Sequence, residues 1–191
     1  KDENKGPITA ISDMNGYLIV MMGLKLFVRA LEKDEWMITV AFLDTPFQAT
    51  GLERLKNFLI LTDVHKSVWL IAFQEEPYRL VVVSKDYSDI YQSHGSFLIQ
   101  DDQMTIVTAA KDGVLRLYDY APNISASQGG QRLLVRSEFG GCNETSGRMV
   151  VPGSSSEDGG ISKSNEIILA SMNGSIQRIQ PVEEEIFNTL H

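Results

Sequence analysis

Apolar residues in this chain come in short runs, each broken by a small polar turn and followed by a second run. The arrangement recurs four times, over Tyr17–Val28, Phe58–Ile71, Thr105–Leu117 and Ile167–Ile179. Two apolar runs around a tight turn predict a pair of antiparallel strands joined as a hairpin. Asp112-Gly113 and Asn173-Gly174 supply turn pairs that tolerate positive φ, which predicts type I′ corners. His65-Lys66-Ser67 fills the equivalent place with a looser loop.

Matched turn positions lie 43 residues apart from Leu24 to Ser67, 46 from Ser67 to Gly113 and 61 from Gly113 to Gly174. The first two intervals are close to the roughly 40–45 residues of a four-stranded propeller blade. The third is longer by one loop, and the apolar-free stretch from Gly153 to Gly160 predicts a mobile insertion over 153–165. Further strands are predicted at Trp36–Leu43, Tyr78–Ser84, Ser96–Gln100 and Leu133–Phe139 from their β-branched and aromatic content. In the second hairpin Val68, Leu70 and Ala72 alternate with Trp69, Ile71 and Phe73, so the strand is apolar on both sides. Such a strand needs cover on both faces, which blades stacked around an axis provide. The sequence therefore predicts an all-β chain, a partial β-propeller of about four WD40-like four-stranded blades. A two-layer β-sandwich is the rival architecture. A short helix is predicted over Pro181–His191, where proline and acidic residues crowd the first turn.

Composition narrows the functional classes. The chain has 191 residues, 43% of them hydrophobic, which describes a packed domain. No apolar run approaches the length needed to cross a bilayer as a helix, so no membrane partner is expected. A formal net charge of −8 argues against a stand-alone nucleic-acid binder, whose affinity comes largely from neutralised phosphates. Cys142 is the single cysteine, which fits a reduced, intracellular chain and offers neither a disulfide nor a zinc-ligand set. The sequons at Asn123, Asn143 and Asn173 keep open a secreted, carbohydrate-binding β protein.

Candidate chemistry is thin. His65, His94 and His191 are each expected in a turn, loop or terminus. Asp63, His65 and Ser67 invite comparison with a triad, but neighbours on one hairpin rarely reach that geometry, and no nucleophile elbow occurs. Glu75-Glu76 and Asp101-Asp102 read as solvated turns, and Gly129-Gly130 and Gly140-Gly141 as loops without phosphate-cradling spacing. Positive charge is scattered over Lys25, Lys56, Lys66, Lys85, Lys111, Arg116, Arg132, Arg136 and Arg178, with Lys66 and Lys111 on the same hairpin rim. Trp36 and Trp69 read as core residues or, if exposed, as anchors for a partner peptide. No enzyme, catalytic residue, metal site or cofactor is expected.

Several segments carry a family resemblance. Lys5–Ile11, Gly16–Ile19, Gly23–Val28, Asn57–Val68 and Leu80–Asp86 resemble the C-terminal region shared by a set of triple-propeller proteins. These are the largest subunit of the cleavage and polyadenylation specificity factor, the large damaged-DNA-binding subunit that serves as a ubiquitin-ligase adaptor, and a propeller subunit of the spliceosomal branch-site factor. Asp112–Pro122 followed by Gly129–Phe139 is similar to the polyadenylation member, whereas Gly140–Glu144 departs from its usual pattern. The resemblance implies a C-terminal segment, 1–191, of a large nuclear scaffold without catalytic activity. It also implies partners among the other cleavage and polyadenylation subunits, with pre-mRNA reached through the assembled complex. An adaptor in ubiquitin ligation and a splicing subunit are the alternatives. No site residue is carried over. Four blades stacked in the open leave two faces bare, each of roughly 300 Å². At about 25 cal/mol/Å² that forfeits about 7 kcal/mol per face. The expectation is that further blades lie upstream or that two copies of the isolated segment pair.

Overall fold

The computed structural model describes residues 6–32, 37–45, 47–101, 103–120, 132–152, 164–182 and 188–189. Among the described residues fifteen strands form four antiparallel sheets, each a meander of strands consecutive in sequence. The first sheet holds β1 (Ile8–Met14), β2 (Tyr17–Met22), β3 (Lys25–Leu31) and β4 (Met37–Asp44). The second holds β5 (Ala49–Leu55), β6 (Phe58–Asp63), β7 (Val68–Glu75) and β8 (Tyr78–Lys85). The third holds β9 (Gln92–Gln100), β10 (Gln103–Ala110), β11 (Leu115–Asp119) and β12 (Leu134–Phe139). The fourth has three strands among the described residues, β13 (Thr145–Pro152), β14 (Asn165–Ser171) and β15 (Ile176–Ile179). This is a four-blade β-propeller arrangement, as the repeat predicts. Most of the expected C-terminal helix and of the 153–165 insertion lies outside the described residues.

Strands apolar on both sides explain why the sheets stack. Leu59, Leu61, Ile71 and Phe73 face the first sheet, in one cluster with Ile19, Met21, Leu26 and Val28. Ile60, Val68 and Leu70, one residue out of phase, face the third sheet and meet Phe97, Ile106 and Tyr118. Val107, Ala109 and Leu115 then meet Ile167 and Leu169 of the fourth. Successive side chains point to opposite faces, so the same strand serves two interfaces at once. Gly95 marks the tightest approach between the second and third sheets, because a Cβ there would lie 2.8 Å from Thr62 Cγ2 and 2.9 Å from Ile60 Cγ2.

The corners match across the repeat but differ from the predicted turn type. Gly23, Ser67, Gly113 and Gly174 all have positive φ, one in each sheet. Asp112 and Asn173 do not, so these are not type I′ turns. Gly113 N–H donates to Ala110 O (3.1 Å) and Ala110 N–H to Val114 O (3.0 Å), a three-residue loop with glycine in the left-handed position. Asp112 and Asn173 contribute through their side chains: each Oδ1 accepts the backbone N–H two residues on, at 3.0 Å in both cases.

The outward faces of the end sheets remain apolar. Register places Ile11, Val20, Phe27 and Phe42 in one row on the side of the first sheet turned away from the second. Val20 and Phe27 are buried there, while Ile11 and Phe42 are 60% and 56% exposed. On the fourth sheet Met149 and Ile176 are exposed on the side opposite Ile167 and Leu169.

Candidate functional site

Chemistry-bearing residues gather on the rim where β6 turns into β7 and β10 into β11. Asp63 closes the first turn, its Oδ1 accepting the backbone N–H of His65 (2.8 Å) and of Lys66 (2.9 Å). The connector from β8 to β9, residues 86–91, lies between the two turns. Its backbone is pinned by Asp86 N–H to Val68 O (2.9 Å), Ser67 N–H to Ile90 O (3.2 Å) and Lys111 N–H to Tyr91 O (3.0 Å).

Beneath the connector sits a buried polar network. Asp86 Oδ2 accepts from Ser67 Oγ (2.7 Å), from the Tyr118 hydroxyl (3.1 Å) and from Ser88 Oγ. Gln92 Nε2 donates to Ser67 Oγ (3.2 Å) and to the Tyr118 hydroxyl (3.4 Å). Ser67, Gln92 and Tyr118 are fully buried. Burial first, and the neighbouring Asp86 carboxylate second, push the Tyr118 hydroxyl well above the ordinary phenol range. This network joins the second sheet to the third.

Lysines and aromatic rings alternate over the surface of the same rim. Lys85 Nζ lies 5.1 Å from the Trp69 ring centre and 4.9 Å from that of Tyr87, and Lys111 Nζ lies 5.2 Å from that of Tyr91. Lys66 pairs with Asp89, whose carboxyl that hydrogen bond holds below its usual range. Phe47 meets His65 edge-on at 4.9 Å. Next to them Arg116 is nearly buried between Asp112 (3.1 Å) and Glu138 (2.7 Å). Burial opposes its charge, but the two carboxylates outweigh burial and raise its pKa. On the opposite rim Asn15 donates to Asn57 (2.9 Å) and Glu75 (3.1 Å), and the Tyr17 hydroxyl, bonded to Tyr78, is pushed up to about 12.

The first strands of the sheets, β1, β5, β9 and β13, run side by side and carry ion pairs. Arg54 meets Asp13 at 3.1 Å. Arg148 on β13 reaches past β9 to Glu53 on β5 at 2.6 Å, with both side chains largely buried. Its guanidinium lines a recess with His94 and Ser96. Burial, then the Arg148 charge, hold the His94 pKa below its ordinary 6.5, against a smaller opposing hydrogen bond to the Thr145 backbone. A depressed imidazole pKa means that the unfolded chain binds the proton more readily. The contribution of this group to stability is therefore present above about pH 6.5 and is lost as the pH falls below it. Thermal melts at pH 7.5 and 5.5 should show a smaller loss for His94→Gln than for the parent, which isolates this group from titrating carboxylates.

A model of the family described as the CPSF A subunit region matches residues 1–191. The chain belongs to that family. It is 37% identical over 139 residues to Protein CFT1 of Candida albicans, covering 73% of this chain and 10% of that protein. It is 28% identical over 196 residues to Protein cft1 of Schizosaccharomyces pombe, covering 100% and 14%. With the probable cleavage and polyadenylation specificity factor subunit 1 of Oryza sativa subsp. japonica it shares 29% over 195 residues, covering 98% and 13%. The chain thus spans about a seventh of the length of such relatives.

In this CPSF A subunit region the residues singled out in the sequence separate by role. His65 lies on the rim against Phe47, but the Asp63 Oδ1 atom serves backbone amides and Ser67 serves Asp86, so these three form no relay. His94 lies within β9, not in a turn or loop, because that strand begins four residues earlier than its apolar pattern suggests. Cys142 is partly buried and its N–H donates to Gly113 O (3.1 Å). Glu75 ends β7, Glu76 lies in the following turn, and Asp101 occupies a turn at positive φ. Gly141 also has positive φ, in the loop that carries Asn143. Asn173 turns its side chain onto Ser175. Trp69 packs at the edge of the first core cluster. Lys25 pairs with Asp44, Arg136 with Asp119, and Arg178 with Glu166. Lys56 is a left-handed turn residue, and Arg132 bridges to Lys85. Trp36, Asp102, Asn123, Gly129, Gly130 and His191 lie outside the described residues. Sequence reasoning paired Lys66 with Lys111 but missed Phe47, Tyr87, Tyr91 and Asp86, although the run Lys85-Asp86-Tyr87 to Tyr91 places rings and a cation in one connector.

Proposed function

We propose that this chain is a non-enzymatic scaffold segment of a protein acting in pre-mRNA 3′-end cleavage and polyadenylation, in the nucleus. The carrying observation is the family match over residues 1–191, with relatives that include a probable cleavage and polyadenylation specificity factor subunit 1. Those names favour the polyadenylation role over a ubiquitin-ligase adaptor, a splicing subunit or a secreted lectin. The architecture supports the reading: charged groups such as Arg116, Glu53 and Arg148 are engaged in bracing sheet to sheet or strand to strand. What faces outward is a rigid rim and apolar sheet faces, which suit holding other proteins. The partners are then other subunits of the complex, with pre-mRNA reached through the assembly. Affinity purification of the tagged full-length parent from nuclei should recover cleavage and polyadenylation subunits in stoichiometric amounts. Recovery of a cullin or of branch-site splicing proteins in their place would overturn the reading.

A further inference from the structure

We propose that the rim between the second and third sheets is a docking site for an extended acidic segment of a partner protein, seated on Tyr87 and Tyr91 and held by Lys85 and Lys111. The inference rests on the scaffold reading and gives it a specific surface. Tyr87 is 57% exposed and Tyr91 38%, on a connector fixed at both ends by backbone bonds and from below by Asp86. Rings presented on a rigid loop lose little freedom when a partner covers them, and tyrosine is a common binding hot spot. Among the described residues neither Lys85 nor Lys111 has a carboxylate partner; each ammonium group lies only over aromatic rings. Both keep their full capacity to bind an incoming carboxylate. By contrast, Lys66 is already paired with Asp89, and Arg116 with Asp112 and Glu138.

The geometry sets the size of the ligand. Tyr87 and Tyr91 are four residues apart, so their backbones are separated by at most about 14 Å. A strand-like peptide of four or five residues covers that span, with alternate side chains on the rings and carboxylates between them. Charge decides between protein and RNA. Single-stranded RNA also stacks on aromatic rings, but its affinity needs many neutralised phosphates. Two unpaired lysines, on a chain of net charge −8, supply few such contacts and leave a long-range field that repels a polyanion. A short acidic segment carries fewer charges, needs only the two cations, and meets an Asp89 carboxylate already paired with Lys66.

The test uses the full-length parent, a fluorescein-labelled peptide alternating Asp or Glu with Leu and Phe, its charge-reversed counterpart carrying Lys, and a labelled oligouridylate. Fluorescence anisotropy should show saturable binding of the acidic peptide, weakened at least about tenfold by Lys85→Glu with Lys111→Glu, and similarly by Tyr87→Ala with Tyr91→Ala. The charge-reversed peptide should recover binding to the double-Glu protein, which a misfolded variant cannot do, and the melting temperature should be unchanged. Failure of the acidic peptide to saturate below about 1 mM, insensitivity to the lysine pair, or tighter binding of the oligouridylate would each overturn the proposal. If the nuclear purification still recovers the polyadenylation subunits, only the surface assignment falls.

Discussion

Asp86→Ala is expected to destabilise the fold by about 3 kcal/mol, measured as a shift of the urea midpoint at unchanged slope. The residue looks like an ordinary turn aspartate in sequence, yet one of its oxygens collects the hydroxyls of Ser67, Tyr118 and Ser88. Removing that acceptor leaves the fully buried Ser67 and Tyr118 hydroxyls short of their best partner, at about 1–3 kcal/mol each. Relief from burying a carboxylate offsets part of the loss, which keeps the expected value below the sum. Tyr118→Phe removes one donor to Asp86 and a long contact from Gln92, which keeps Ser67 as its acceptor, and should cost about 1 kcal/mol. Equal losses for the two variants would show that Asp86 is not the hub of the network.

A second large effect is expected at the matched corners, where one change meets two different surroundings. Gly113 has φ +78° and a Cβ there would lie 2.1 Å from the Cys142 carbonyl oxygen, a backbone atom. Gly174 has φ +85° with nothing within 4 Å of the added carbon. Gly174→Ala thus meets only the left-handed backbone cost of about 1–2 kcal/mol. Gly113→Ala meets that cost and must also displace the segment whose amide bonds Gly113 O at 3.1 Å. It should be the more damaging by about 2 kcal/mol or more in the same urea titration. Losses that match would mean that the Cys142 segment yields freely.

The blade pattern was legible wherever burial on two sides wrote an unbroken apolar run. Phe58–Asp63 and Val68–Phe73 are such runs, and the structure divides their residues between two interfaces as the alternation requires. The first strand of each sheet was legible least. β1, β5 and β13 escaped notice and β9 was cut short, because at the inner edge the strands carry Asp13, Glu53, Arg54 and Arg148 paired with one another. Charges that neutralise each other across strands erase the alternation by which a single strand is recognised. The corners were placed correctly, but the turn type was not: Asp112 and Asn173 bond forward through Oδ1 and have no need of positive φ. The Asp86 network was illegible for a simpler reason. Ser67 and Asp86 come from the ends of neighbouring strands of the second sheet and Gln92 and Tyr118 from the third, so the network closes only when the two sheets stack.

Sheets laid in series ordinarily lean on their nearest neighbours alone, so that fraying at one end weakens each successive sheet in turn. The Arg148 guanidinium breaks that rule by passing over β9 to grip Glu53. Detachment of the fourth sheet strands a largely buried carboxylate two sheets away, and the second sheet feels the departure at once. The inner edge thus works like a stay between alternate ribs, making the assembly more all-or-none than its chain of apolar interfaces alone would allow.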